Sequence, residues 1–117
     1  MSVSIVGGTV QASAALAFNA QTGTTYTLVA TDADNKLVTM SNASAITLTV
    51  PPSIFTAGQQ INVASIGAGL TTFAAGAGVT ITSTGASSAA PKLRAQQSAC
   101  TVICTASNTF LIVGDLS

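Results

Sequence analysis

The hydrophobic and polar positions of this chain alternate with a period of two, most clearly between Thr24 and Phe55. Tyr26, Leu28 and Ala30 alternate with Thr25, Thr27 and Val29, and Ile46, Leu48 and Val50 alternate with Thr47 and Thr49. Such alternation over five or more residues marks a half-buried strand. Between these runs lie a polar turn, Asp32-Ala33-Asp34-Asn35-Lys36, a further strand, Leu37-Val38-Thr39-Met40, and a second turn, Ser41-Asn42-Ala43-Ser44. Pro51-Pro52 closes the last strand, because proline cannot donate to a ladder. The stretch therefore predicts three consecutive strands in a meander.

The same pattern continues to the C-terminus. Strands are predicted over Gln60–Ile66, Leu70–Ala74, Val79–Thr82, Lys92–Gln96 and Ala99–Thr105, and over Phe110–Val113. The last is apolar on both faces and reads as a central strand. Lys92 and Arg94 alternate with Leu93, which places both cations on one wet face. Gly67-Ala68-Gly69 and Gly76-Ala77-Gly78 read as turns, and Ser83 to Pro91 as a loop. Residues 1–23 carry the weakest pattern and read as an N-terminal arm or outer strand. Residues 24–117 read as one β-sandwich domain.

About eight short strands at roughly ten-residue spacing, with no helix, predict an all-β antiparallel sandwich or jelly-roll-like fold. One rival is a β-solenoid, because Gly67-Ala68-Gly69, Gly76-Ala77-Gly78 and Gly85-Ala86-Ser87 recur every nine residues. The calcium-binding form of that repeat needs an Asp in each turn, and these turns have none. Two hairpin turns of equal spacing account for the pattern as well. The predicted core is Leu48, Ile61, Val63, Phe73, Ile81, Leu93, Val102 and Ile112.

Charge changes the picture. The 117 residues include only three Lys+Arg and three Asp+Glu, and no His. A small soluble domain carries about 25–35% charged residues on its surface, whereas here the whole chain has 5%. No apolar run approaches the ~18 residues of a membrane span. Two explanations fit: a neutral, Thr/Ser-rich β surface, or a surface covered by copies of the chain or by a partner. There is no basic cluster and only one Tyr, which argues against nucleic acid and anionic membranes as partners. Met1 to Phe18 has neither a basic start nor a continuous apolar core, so a cleaved signal is not expected.

The candidate chemistry is sparse. General acid–base work falls to three aspartates, two lysines, one tyrosine and two cysteines. Asp32 and Asp34 faintly resemble the start of a calcium loop, but Lys36 occupies a ligand position and no Glu follows. They read as turn-capping residues. Cys100 and Cys104 have no histidine partner and cannot alone make a zinc site. Four residues apart on one strand face they stand about 13 Å apart, too far for a disulfide, which needs Cα atoms within about 7 Å. They read as two free, buried, small hydrophobes, suited to a reducing cytoplasm. Asn42-Ala43-Ser44 is a formal glycosylation sequon and reads as a turn. The glycine turns lack the helix and lysine of a phosphate loop. No catalytic, cofactor-binding or metal-ligating residues are assigned, and no cofactor is expected.

Three runs carry a resemblance: YTLVATDADNKLVTM-SNASAITLTVPPS, GQQINVASIGAGLTTFAAGAGVTI and KLRAQQSACTVICTASNTFLIVGDL. In their order they resemble a module of tailed-bacteriophage virion proteins, over about Thr24 to Leu116. Phe110 stands where that pattern usually has Trp, and the long stalk or receptor-binding tip of a fibre is missing. The resemblance implies non-enzymatic structural work, usually as a homotrimer. Within it the chain looks most like a capsid decoration (cement) protein. Such a protein is made in the bacterial cytoplasm, sits on the virion surface, binds the major capsid protein and stabilises the shell. The alternative is a module of a head fibre, tail fibre or baseplate that attaches to the host. An enzyme such as a polysaccharide depolymerase is disfavoured because no pair of carboxylates is visible.

Overall fold

Nine strands form two sheets in a computed structural model that describes residues 15–83 and 90–117. The strands are β1 (Ala17–Gln21), β2 (Thr25–Thr27), β3 (Lys36–Met40), β4 (Ile46–Val50), β5 (Gln60–Ser65), β6 (Thr71–Ala75), β7 (Thr80–Ser83), β8 (Ala99–Ala106) and β9 (Thr109–Gly114). A single 3-10 turn, Ala30–Ala33, is the only helical element among the described residues. The larger sheet runs β1-β3-β5-β8-β9-β7, and the smaller runs β2-β4-β6. Residues 1–14 of the expected arm and the Gly85-Ala86-Ser87 turn lie outside the described residues.

The described chain is all-β, but its first six strands do not pair as a meander. They alternate between the sheets, so that β1 and β2, β3 and β4, and β5 and β6 make three successive coils. Each coil lies parallel on the next: β1 on β3 on β5, and β2 on β4 on β6. Five of the seven strand pairings are parallel. The expected antiparallel jelly-roll is therefore corrected to a stack of solenoid-like coils. Period-two alternation looks the same in both, because it reports one buried face and not the direction of the neighbour. The nine-residue glycine recurrence is not the coil repeat either. From the second coil to the third, Leu37 faces Asn62 and Ile46 faces Thr71, a step of 25 residues in both sheets.

The glycines serve that step. The corners between the sheets, residues 41–45 and 66–70, lie one on the other. The Gly69 N–H donates to the Asn42 carbonyl at 2.8 Å, and the Ile66 N–H to the Met40 carbonyl at 2.9 Å. A Cβ on Gly69 would lie 1.8 Å from the Ser44 carbonyl oxygen, and one on Gly67 2.5 Å from the Asn42 nitrogen. Gly76 packs in the same way beneath Val50 and the double proline. The residues read as hairpin turns are thus points where one backbone lies directly against another.

The last strands close the stack at one end. β8 pairs antiparallel with β5 and with β9, and β7 lies parallel to β9. Lys92 bridges Thr72, and Leu93 bridges Leu116, which covers the β6 edge. Lys92 and Arg94 are exposed and Leu93 is buried, as the alternation predicts. β9 is interior, but only one of its faces is buried: Phe110 and Ile112 point in, and Val113 is exposed. All eight predicted core residues are buried. Phe55, just past the double proline, meets Phe110 edge-to-face at 5.9 Å and 87°, which adds about 0.5–1.5 kcal/mol to area burial.

Substituting Gly69→Ala forces the two corners apart, because the atom it meets is backbone. The expected loss is at least about 2–3 kcal/mol, read by denaturant unfolding. Gly23→Ala is the less damaging control, since its Cβ would meet nothing nearer than 3.6 Å and its φ lies outside the left-handed region. Equal losses at both positions would contradict the stacked corners.

Candidate functional site: two charge-poor faces and a polar end

Parallel register aligns side chains into rows across each sheet. On the outer face of the large sheet one row is Phe18, Leu37, Asn62, Thr101 and Val113. A second is Ala20, Thr39, Ala64 and Ala99, and a third joins Gln60, Ile103, Leu111 and Thr82. None of these positions carries an ionisable group. The Thr101 hydroxyl donates to Asn62 Oδ1 at 2.8 Å, so the polar pair in the first row satisfies itself in part. The outer face of the small sheet repeats the theme with hydroxyls: Thr25, Thr47 and Thr72 in one row, which ends in the exposed Lys92 bridged to Thr72, and Thr27, Thr49 and Ala74 in the next.

Charge is removed further by pairing and burial. Arg94 grips Asp115 with two hydrogen bonds, Nε at 2.7 Å and Nη2 at 3.0 Å. That pairing lowers the Asp115 carboxyl pKa, helped by the Ser98 hydroxyl donating at 2.7 Å. Asp32 is buried. Among the described residues the remaining charges are Asp34, Lys36 and Lys92.

Asp32 is where the structure departs most from the sequence reading. It caps the 3-10 turn, as read, but from a buried position. Its carboxyl oxygens accept hydrogen bonds from the Tyr26 hydroxyl at 2.6 Å, Asn19 Nδ2 at 2.8 Å and the Val29 N–H at 3.0 Å. Asn19 Nδ2 also reaches the Tyr26 oxygen at 2.7 Å, and Gln21 Nε2 donates to Asn19 Oδ1 at 2.7 Å. Burial, with Asp32 beside it, holds the Tyr26 hydroxyl well above the ordinary tyrosine range, so it stays a donor. Register explains the cluster. Asn19 and Gln21 occupy the inward rows filled by Val38 and Met40 in the next coil, and Tyr26 occupies that of Leu48 and Phe73. The first coil thus ends the apolar core with a hydrogen-bonded polar layer, as terminal repeats of stacked proteins do. Asp34 is exposed and Lys36 half-buried, and neither joins it. The signal in the sequence was the break in inward apolar residues at Asn19 and Gln21.

The other singled-out residues are structural. Cys100 and Cys104 are free and buried on the inner face of β8. Burial pushes the Cys100 thiol up to about 12, and raises Cys104 as well. The Asn42 side chain donates to the Thr22 carbonyl and accepts from the Ser44 N–H, both at 2.8 Å, which ties the corners of the first two coils. Among the described residues no three His, Cys, Asp or Glu come together as a metal site, and no helix is long and apolar enough to cross a membrane.

Compared with protein-family models, curated proteins and solved structures, the chain matches none.

Two outcomes are expected. Asp32→Ala strands three donors and should cost about 2–4 kcal/mol, since an orphaned buried partner costs about 1–3 kcal/mol and bonds to charged groups contribute more. A loss below about 0.5 kcal/mol, within the range of ordinary surface changes, would mean that water replaces the carboxyl without penalty. The folded state also holds the Cys100 proton more tightly than the unfolded state does. Stability from this group is complete below the unfolded thiol pKa near 9 and falls as pH rises toward about 12. Cys100→Ser should flatten that alkaline fall, as followed by thermal melts.

Proposed function

We propose that the chain is a structural, non-enzymatic module of a tailed-phage virion: a capsid decoration protein that binds the outer capsid surface and stabilises the shell. Its partners in this reading are the major capsid protein and its own copies, assembled as a homotrimer. The observation that carries the reading is the pair of charge-poor sheet faces, the large one uncharged in its rows and the small one carrying only Lys92 at its edge. The outward rows consist of threonine, alanine, asparagine, glutamine and apolar residues in register, with Lys92 beside Thr72 at the edge of the small sheet. Such faces offer shape, apolar area and hydrogen bonds to a neighbour. They offer little for steering a charged ligand. The order of blocks from Tyr26 to Leu116 supports the viral assignment through the resemblance described above.

The coil stack favours a second reading, a fibre or baseplate module involved in host attachment. Coils that each contact only their neighbours extend readily along one axis, which suits a fibre.

Copy number separates the two. Quantitative mass spectrometry of purified virions should find hundreds of copies under the decoration reading. A few dozen or fewer would place the chain in a fibre or baseplate. Absence from virions would overturn both. Capsid binding should also persist at about 1 M salt, where the screening length falls to about 3 Å; release by salt would contradict neutral contacts.

A further inference from the structure

The outer face of the large sheet carries both halves of a contact. Of the six large apolar side chains exposed among the described residues, three gather there: Leu16 at 42%, Phe18 at 70% and Val113 at 43% exposure. Phe18 stands at the β1 end of its row. Next to it lies an open depression of about 470 Å³, lined by Leu16, Leu37, Asn62, Thr101 and Val113. One end of the face is a projecting ring, and the middle is a hollow walled by aliphatic and small polar groups.

We infer that this face binds a second copy of the chain, with Phe18 of one copy seated in the Leu37–Val113 depression of the next. Three observations favour a copy over another occupant. The knob and the hollow lie on the same face, which is the condition for self-complementary contact. The rows that make the face hold no charge, so two copies meet without like-charge repulsion or stranded ions. The size also fits. Six strands about 4.8 Å apart and about five residues long present roughly 500 Å² per copy, or roughly 1,000 Å² for a pair. That reaches the lower end of specific interfaces. An interface of that size centred on one aromatic anchor should be reversible and concentrate its energy in that anchor. The inference rests on the geometry of this face and holds for a decoration protein, a fibre module or neither.

Sedimentation equilibrium of the full chain over a micromolar range tests it. The wild-type mass should rise with concentration to a multiple of one chain. F18D, at an exposed site, should weaken association at least about tenfold, with unchanged circular dichroism and melting temperature. V113D, in the hollow, should do the same, and F18L should associate nearly as wild type. A wild-type chain that stays single throughout would overturn the inference. So would F18D and V113D variants that associate as tightly as wild type. Because association is read without capsids, its failure would remove self-assembly in solution from the virion reading and leave capsid binding untouched, and the absence of the chain from virions leaves this inference untouched.

Discussion

Backbone packed on backbone at the corners is the constraint on which the rest depends. A coil can lie parallel on the coil below only if the turn between its sheets follows the turn beneath it. At Gly67, Gly69 and Gly76 there is no space for a Cβ. Once the corners are stacked, the 25-residue step is the same in both sheets, and every inward side chain falls above its counterpart: Val63 beside Val38, Phe73 beside Leu48. The apolar core follows from that register. So do the outward rows, because a residue one place along must point the other way.

A stack needs ends, and the two ends here are solved differently. At the third coil, β8 and β9 turn antiparallel and extend the large sheet, while Pro91 to Leu93 covers the edge of the small one. At the first coil, the inward positions become Asn19, Gln21 and Tyr26, joined to buried Asp32. The same coil presents Phe18 outward. The inside of that coil is thus saturated with hydrogen bonds, and its outside holds the most exposed aromatic among the described residues. Contact with a neighbour is better placed on the outer face than at the polar end.

The faces of the strands were legible from alternation, and with them the eight core residues and the burial of both cysteines. The direction of pairing was not. Alternation is a local property, whereas parallel stacking is visible only when residues 25 apart are compared. Over 36–50 against 61–75 that repeat keeps few identities, such as Val38 with Val63, Ala43 with Ala68 and Thr47 with Thr72. What is kept is the side each residue faces, which many sequences satisfy. Asp32 is legible only in part for a related reason: it caps the 3-10 turn, as read, but its burial is not visible in the sequence. Its spacing from Asp34 suggests a turn, and only the fold brings Asn19 and Tyr26 to it. The exposure of Phe18 has no signal in the sequence, because the residues around it carry so little pattern.

The parallel stack is the central claim, and one spectrum tests it directly. At 11.4 kDa the chain suits nuclear magnetic resonance. Nuclear Overhauser contacts between the fourth and sixth strands should join Ile46 with Thr71, Leu48 with Phe73 and Val50 with Ala75, ascending together. An antiparallel hairpin through the Gly67-Ala68-Gly69 corner would instead pair β5 with β6 in descending order. Ascending contacts between β4 and β6 support coils laid parallel. Descending contacts between β5 and β6 would contradict the account at its base.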